Sequence, residues 1–192
     1  MSLWETDVKP KNLTEAEKLE VYQTNQGWVR EAGSRLSGNG NVNADPEVLV
    51  AISGLATKSG TGNITEIEFI TTSVSAASAG PFSVRVRFKE KVDVDTSGGM
   101  PTLLVANSIY DNESTSQAIV SLDYASGTGT NELTFTGTWA SGQLNENDVL
   151  SIGSNAVALN SGTIKDAGTA TNSTITNSAA IGTAAGTLTV AA

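Results

Sequence analysis

A chain of 192 residues with no cysteine and no histidine has no disulfide, thiolate nucleophile, Cys/His zinc site or serine–histidine triad. Its net charge of −9, with eleven basic residues spread along the sequence, argues against nucleic acid or an anionic membrane as a partner. Aromatics make up only 5% of the residues, so a core must rest largely on aliphatic side chains, and contacts between chains are expected to add stability.

No basic, apolar leader follows Met1, and no apolar run approaches the roughly 20 residues that span a bilayer. Residues 1–12 are polar apart from Leu3 and Trp4, and Pro10 discourages helix at Lys9. An extended arm is predicted, with Trp4 as an anchor that needs a docking surface. Thr14-Glu15-Ala16-Glu17 has the form of a capping box. The helix it opens is predicted to reach Tyr22 or Gln23, with Leu19, Val21 and Tyr22 along it.

Gly27–Glu31 and Glu47–Ile52 read as strands around the loop-forming stretch Gly33–Pro46. Val48, Val50 and Ile52 fall on one face of the second strand, Leu49 on the other. A lone hairpin is marginal in water, so it is expected to pair with another copy or lie on a partner. The candidate partner-binding residues are Trp4, Leu13, Leu19, Tyr22, Trp28, Val29, Val48, Val50 and Ile52.

Ala56–Asn63 (ATKSGTGN) is a linker by composition and the expected domain boundary, with an N-terminal segment over 1–60. Short strands then follow at regular spacing. Ile64–Thr72 is the first. In Phe82–Phe88, Phe82, Val84, Val86 and Phe88 point to a core while Ser83, Arg85 and Arg87 point to solvent. Val92–Asp95 and Thr102–Val105 come next. Ala118–Tyr124 and Leu133–Trp139 form a hairpin around Ser126–Thr130, and Val149–Ile152, Ala156–Leu159 and Thr174–Thr176 complete the set. This pattern predicts an all-β fold, an immunoglobulin-like Greek-key sandwich over 61–177, preceded by the arm, one short helix and the hairpin. The tail 178–192 is rich in Ala, Gly and Thr, and Thr187–Val190 reads as an edge strand that invites a neighbouring chain.

No catalytic constellation emerges. Ser and Thr lack a base to activate them, and carboxylate pairs alone do not define a glycosidase cleft. Asp93/Asp95, Asp111–Glu113 and Asn145–Asp148 supply oxygen ligands of the kind calcium uses, but Asx residues at strand ends more often form turns. No cofactor is expected.

Two segments resemble known families. Residues 82–176 resemble the bacterial Ig-like repeat of large cell-surface proteins. The resemblance is carried by FSVRVRFKEKVDVDTSGGMPTLLV, LDYASGTGTNELTFTGT and NENDVLSIGSNAVALNSGTIKDAGTA. The link IYDNESTSQAIV is longer than the repeat's usual connection. Residues 4–55 resemble the N-terminal segment of structural proteins in tailed phages of marine bacteria, especially cyanobacteria. Here Trp4–Thr14 (WETDVKPKNLT), Tyr22–Val29 (YQTNQGWV) and Glu47–Leu55 (EVLVAISGL) carry it, with Asn12 where that pattern has an aromatic. Together they imply a capsid decoration or cement protein on the outer surface of the virion. The implied partners are the major capsid protein and further copies in a dimer or trimer. The alternative is an adhesion module that binds host surface glycan through the Ig-like domain.

Overall fold

The computed structural model describes residues 13–24, 27–33, 41, 46–51, 62–77, 79–108, 119–139 and 143–192. Trp4, Ile52 and the Asp111–Glu113 cluster lie outside these residues.

The first described element is helix α1, Glu15–Glu20. Thr14 Oγ1 accepts from the Glu17 amide at 3.3 Å, and Glu17 Oε2 accepts from the Thr14 amide at 2.9 Å, so both halves of the capping box are made. The helix stops earlier than predicted. Val21 is already extended (φ −106°, ψ 122°) and begins strand β1, Val21–Thr24. A β-branched and an aromatic residue in succession favour the pleated form once a partner strand is present. That partner is β2, Gly27–Arg30, which pairs antiparallel with β1 and on its other side with β3, Glu47–Ala51. The predicted hairpin is therefore a three-stranded sheet in the order β1-β2-β3.

The rest is a β-sandwich. Its strands are β4 (Ile64–Phe69), β5 (Val74–Ser75), β6 (Gly80–Asp95), β7 (Thr102–Ser108), β8 (Ile119–Ser126), β9 (Thr130–Trp139), β10 (Val149–Ser151), β11 (Val157–Ala158), β12 (Thr163–Asp166) and β13 (Thr187–Ala191). One continuous ladder runs β12-β6-β9-β8-β7-β10-β13-β5, with β4 beside β6 and β11 beside β7. All of its pairs are antiparallel except β13 with β5.

Phe82–Phe88 and Val92–Asp95, predicted as separate strands, belong to one strand. The register against β9 shifts between Arg87 and Val92, an irregularity that keeps β6 in the sheet while re-aiming the side chains between them. Thr174 contributes a single bridge to Asn63 rather than a strand. β12 escaped the sequence reading because Thr-Ile-Lys-Asp carries one apolar residue; β6 selects it by pairing Thr163–Asp166 with Asp95–Val92.

The inward faces meet in one cluster that runs from Ile64 to Val190. Phe82, Val84, Val86, Phe88, Leu122, Leu133 and Phe135 are almost wholly buried. Phe82 makes edge-on contacts with Phe69 at 5.8 Å and Trp139 at 6.1 Å, and Tyr124 does the same with Phe135 at 6.1 Å.

The tail departs most from expectation. Residues 179–184 form a second short helix, α2 (Ala179–Ala184), capped by the Ser178 hydroxyl. β13 is not a free edge. It lies between β10 (Val149↔Thr189) and β5 (Val190↔Val74), and Val190 is buried. Thr187–Thr189 pair with β10 and Val190–Ala191 with β5, so the strand is held within the chain along its length.

Candidate functional site

The N-terminal sheet and the sandwich meet along a polar seam. The residues facing it come from β4, β6 and β9, whose outer face the sequence assigned to solvent. Arg87 is 1% exposed, and Lys89 is also buried. Cross-strand register explains the arrangement. Glu66 stands opposite Arg87, Glu68 opposite Arg85, and Glu132 of β9 opposite Arg87 on its other side. Arg87 Nη1 reaches Glu66 Oε2 at 2.8 Å and Glu68 Oε2 at 3.0 Å, and its Nε reaches Glu132 Oε2 at 3.3 Å. Arg85 also pairs with Glu68 and Glu132. A planar guanidinium serves several carboxylates at once, which an ammonium does less well.

Burial alone would raise the Glu66 carboxyl, but hydrogen bonds and charge from Arg87, then Lys18, outweigh it and hold the group below its ordinary range. Burial likewise works against the Arg87 cation, and the carboxylates of Glu66, Glu68 and Glu132 reverse that effect. A carboxylate held ionised in this way is the opposite of a general acid.

Four contacts tie the N-terminal segment to this face. Lys18 of α1 pairs with Glu66 at 3.2 Å. Lys91 of β6 pairs with Glu31 at 2.8 Å, and its Nζ sits 4.6 Å over the Tyr22 ring. Buried Asn131 donates to the Val21 carbonyl at 3.4 Å. Burial pushes the Tyr22 phenol up, with Glu31 adding to the effect. Inside the segment, Arg30 pairs with Glu17 at 3.4 Å and with Glu47 at 3.8 Å. The basic residues spread along the sequence are thus gathered by folding: Lys18, Arg30, Arg85, Arg87 and Lys91 enter ion pairs within or beside the seam.

The predicted partner-binding residues fall into distinct groups. Tyr22, Trp28 and Val29 are buried within the chain, Trp28 completely. In the single copy they are packed within the chain, where β1 joins the hairpin as a third strand. Leu13 is half-buried, while Leu19 (38% exposed) and Val48 (45%) face outward. Val50 lies in β3 opposite Trp28. The sequence missed Glu66, Glu68, Glu132 and Asn131, because a pairing register and a docked segment are needed to bring them together. No protein-family model matches the chain, and neither curated proteins nor solved structures give a significant match.

The two described acidic loops, at Asp93/Asp95 and Asn145–Asp148, use their carboxylates to cap local backbone. Asp95 Oδ1 accepts from the Ser97 amide at 2.8 Å, which holds its carboxyl below the usual range. Asp148 is buried, accepting from Asn107 Nδ2 at 2.7 Å and from the Asn145 amide at 2.9 Å. Among the described residues no three acidic side chains are grouped in a way that could hold a metal ion. An open groove of about 190 Å³ lies between Leu104, Ala106 and the loop Gly153–Ala156, without a charged side chain in its lining.

Proposed function

We propose that this chain is a virion structural protein that decorates a phage capsid. The N-terminal segment binds the shell and the sandwich projects outward from it. What carries the reading is that, in one chain, residues 4–55 resemble a phage-type N-terminal segment and residues 82–176 resemble an Ig-like repeat. The structure is compatible with that division of labour. Val21, Tyr22, Trp28 and Val29 are buried apart from the sandwich core, and the N-terminal strands form a sheet of their own. A segment with its own sheet and its own buried aromatics can be presented to a partner without dismantling the domain behind it.

The mechanism is mass action. A protein that binds the assembled lattice and not its free subunits stabilises the lattice by the binding free energy at each site. Repetition of the site around local symmetry axes strengthens retention, and association of copies as dimers or trimers would follow the same axes. The reading assigns no catalysis.

The test is co-sedimentation with expanded, undecorated heads of the parent phage. Full-length protein is expected to pellet with heads, and heads that carry it to release genome at higher temperature than bare heads. Failure to pellet sinks the proposal. Binding to host cells or glycan arrays without binding to heads would favour the adhesion alternative.

A further inference from the structure

The seam joins two separately buried apolar groups by polar contacts. The sandwich core runs from Ile64 to Val190 and does not include Val21, Tyr22, Trp28 or Val29. The ion pairs that bridge the two are partly wet. Lys18 and Glu66 are 27% and 31% exposed, and Lys91 and Glu31 are 31% and 46% exposed. Pairs of that exposure respond to salt, whereas Arg87, at 1%, is shielded. Lys91 carries the most, because it serves Glu31 and the Tyr22 ring together and stands where the β6 register is broken.

A second observation concerns Trp28. Its side chain is fully buried, yet among the described residues its indole Nε1 finds no acceptor. A buried indole N–H without a partner is uncommon and raises the free energy of the arrangement that contains it. The docked position therefore leaves a donor that another arrangement could satisfy.

We propose that α1, β1 and β2 are held on the sandwich by a salt-sensitive latch centred on Lys91, with Lys18 as its second point, and that the latched form is the unassembled protein. Opening the latch frees Tyr22 from Lys91 and uncovers the face of the N-terminal sheet that meets the sandwich. The capsid surface then competes with the sandwich for that face. The second half of the proposal rests on the decoration reading; the latch itself does not.

The experiment is hydrogen exchange on the full chain, comparing peptides from 15–30 with peptides from 130–139 of β9. Raising salt from about 0.05 M to about 0.5 M is expected to speed exchange in 15–30 by about five- to tenfold and leave β9 unchanged. Lys91→Glu, which sets two carboxylates against each other, is expected to do the same at low salt. The exchanged pair Glu31→Lys/Lys91→Glu restores protection, and Lys91→Gln gives a smaller effect of the same kind. Parallel loss of protection in both regions, or no change in 15–30 for Lys91→Glu and Lys91→Gln, overturns the latch. The same variants are then mixed with undecorated heads. Lys91→Glu is expected to bind faster than the unsubstituted chain. If it binds more slowly, the competition is wrong. If neither binds heads while exchange shows the latch, the decoration reading fails and the latch stands.

Discussion

Arg87 Nη1 stands 2.8 Å from Glu66 Oε2 across the β4–β6 ladder, and the guanidinium between these strands is 1% exposed. Glu68 and Glu132 complete its surroundings. The cation is what allows three carboxylates to sit on one face of a sheet. Removing it leaves three half-buried carboxylates close together, with only Arg85 and Lys18 at their outer side to offset them. Arg87→Met is therefore expected to destabilise the fold by about 3–5 kcal/mol, the range for breaking a buried pair from one side. Arg87→Lys is expected to recover only part of this, since an ammonium does not reproduce the forked geometry. Urea unfolding followed by fluorescence measures both; a loss below about 1 kcal/mol for Arg87→Met contradicts the account.

The same cluster sets a dependence on pH. The Glu66 carboxyl is depressed in the folded chain relative to its ordinary value of 4.5. A group with a lowered folded pKa contributes stability that is fully present above the unfolded pKa. That contribution is lost as pH falls through the folded pKa. Stability should thus hold from neutral pH to about 5 and decline below about 4.5. Glu66→Gln is expected to flatten that decline while lowering stability at pH 7, where the charge is missed. Unfolding midpoints across pH 3–7 give the answer. An unchanged slope in the variant would assign acid sensitivity to other carboxylates.

The β8–β9 turn makes a sharper steric prediction. Gly127 has φ +113°, and a Cβ placed on it would meet the Glu132 carbonyl oxygen at 2.0 Å. Two costs coincide there, an unfavourable backbone region and a contact with backbone that has little room to move. Gly127→Ala is expected to lose about 2–4 kcal/mol, whereas Gly129→Ala, with open space at the Cβ, loses only the conformational part of about 1–2 kcal/mol. Thermal melts of the two variants side by side separate crowding from backbone strain.

Much of the sandwich was legible in the sequence. Alternation in Phe82–Phe88 and in the hairpin around Ser126–Thr130 gave strands, facing and turn correctly, because one face of each strand must enter the core. The same rule misassigned Arg85 and Arg87. Alternation says only that a face is polar, not that it is wet, and a second layer over that face is invisible to a period-two pattern. The capping box located the start of α1, but its end depended on β2 being there to pair with Val21–Thr24. The tail was misread for a related reason. Thr-Leu-Thr-Val looks like an open edge unless the reader knows that β5, more than a hundred residues earlier, supplies its other neighbour.

That last placement carries its own prediction. Val190 is 1% exposed, and β13 closes the ladder between β10 and β5. Its amide donates to the Asp148 carbonyl at 2.8 Å, and its carbonyl accepts from the Asn147 amide at 2.8 Å. Deleting residues 187–192 removes this burial and these bonds and exposes the edges of β10 and β5. The loss is expected to be at least about 3 kcal/mol, or roughly 6–12 °C in Tm. The newly bare edges should also make the truncated chain self-associate, because unpaired strands of low charge recruit other strands. Calorimetry and light scattering on the truncated and full-length chains test the two effects together. A frayed tail would give neither, and a tail that pairs only with a neighbouring copy would lower the Tm of the full chain on dilution. The intramolecular ladder described here predicts a Tm that does not depend on concentration.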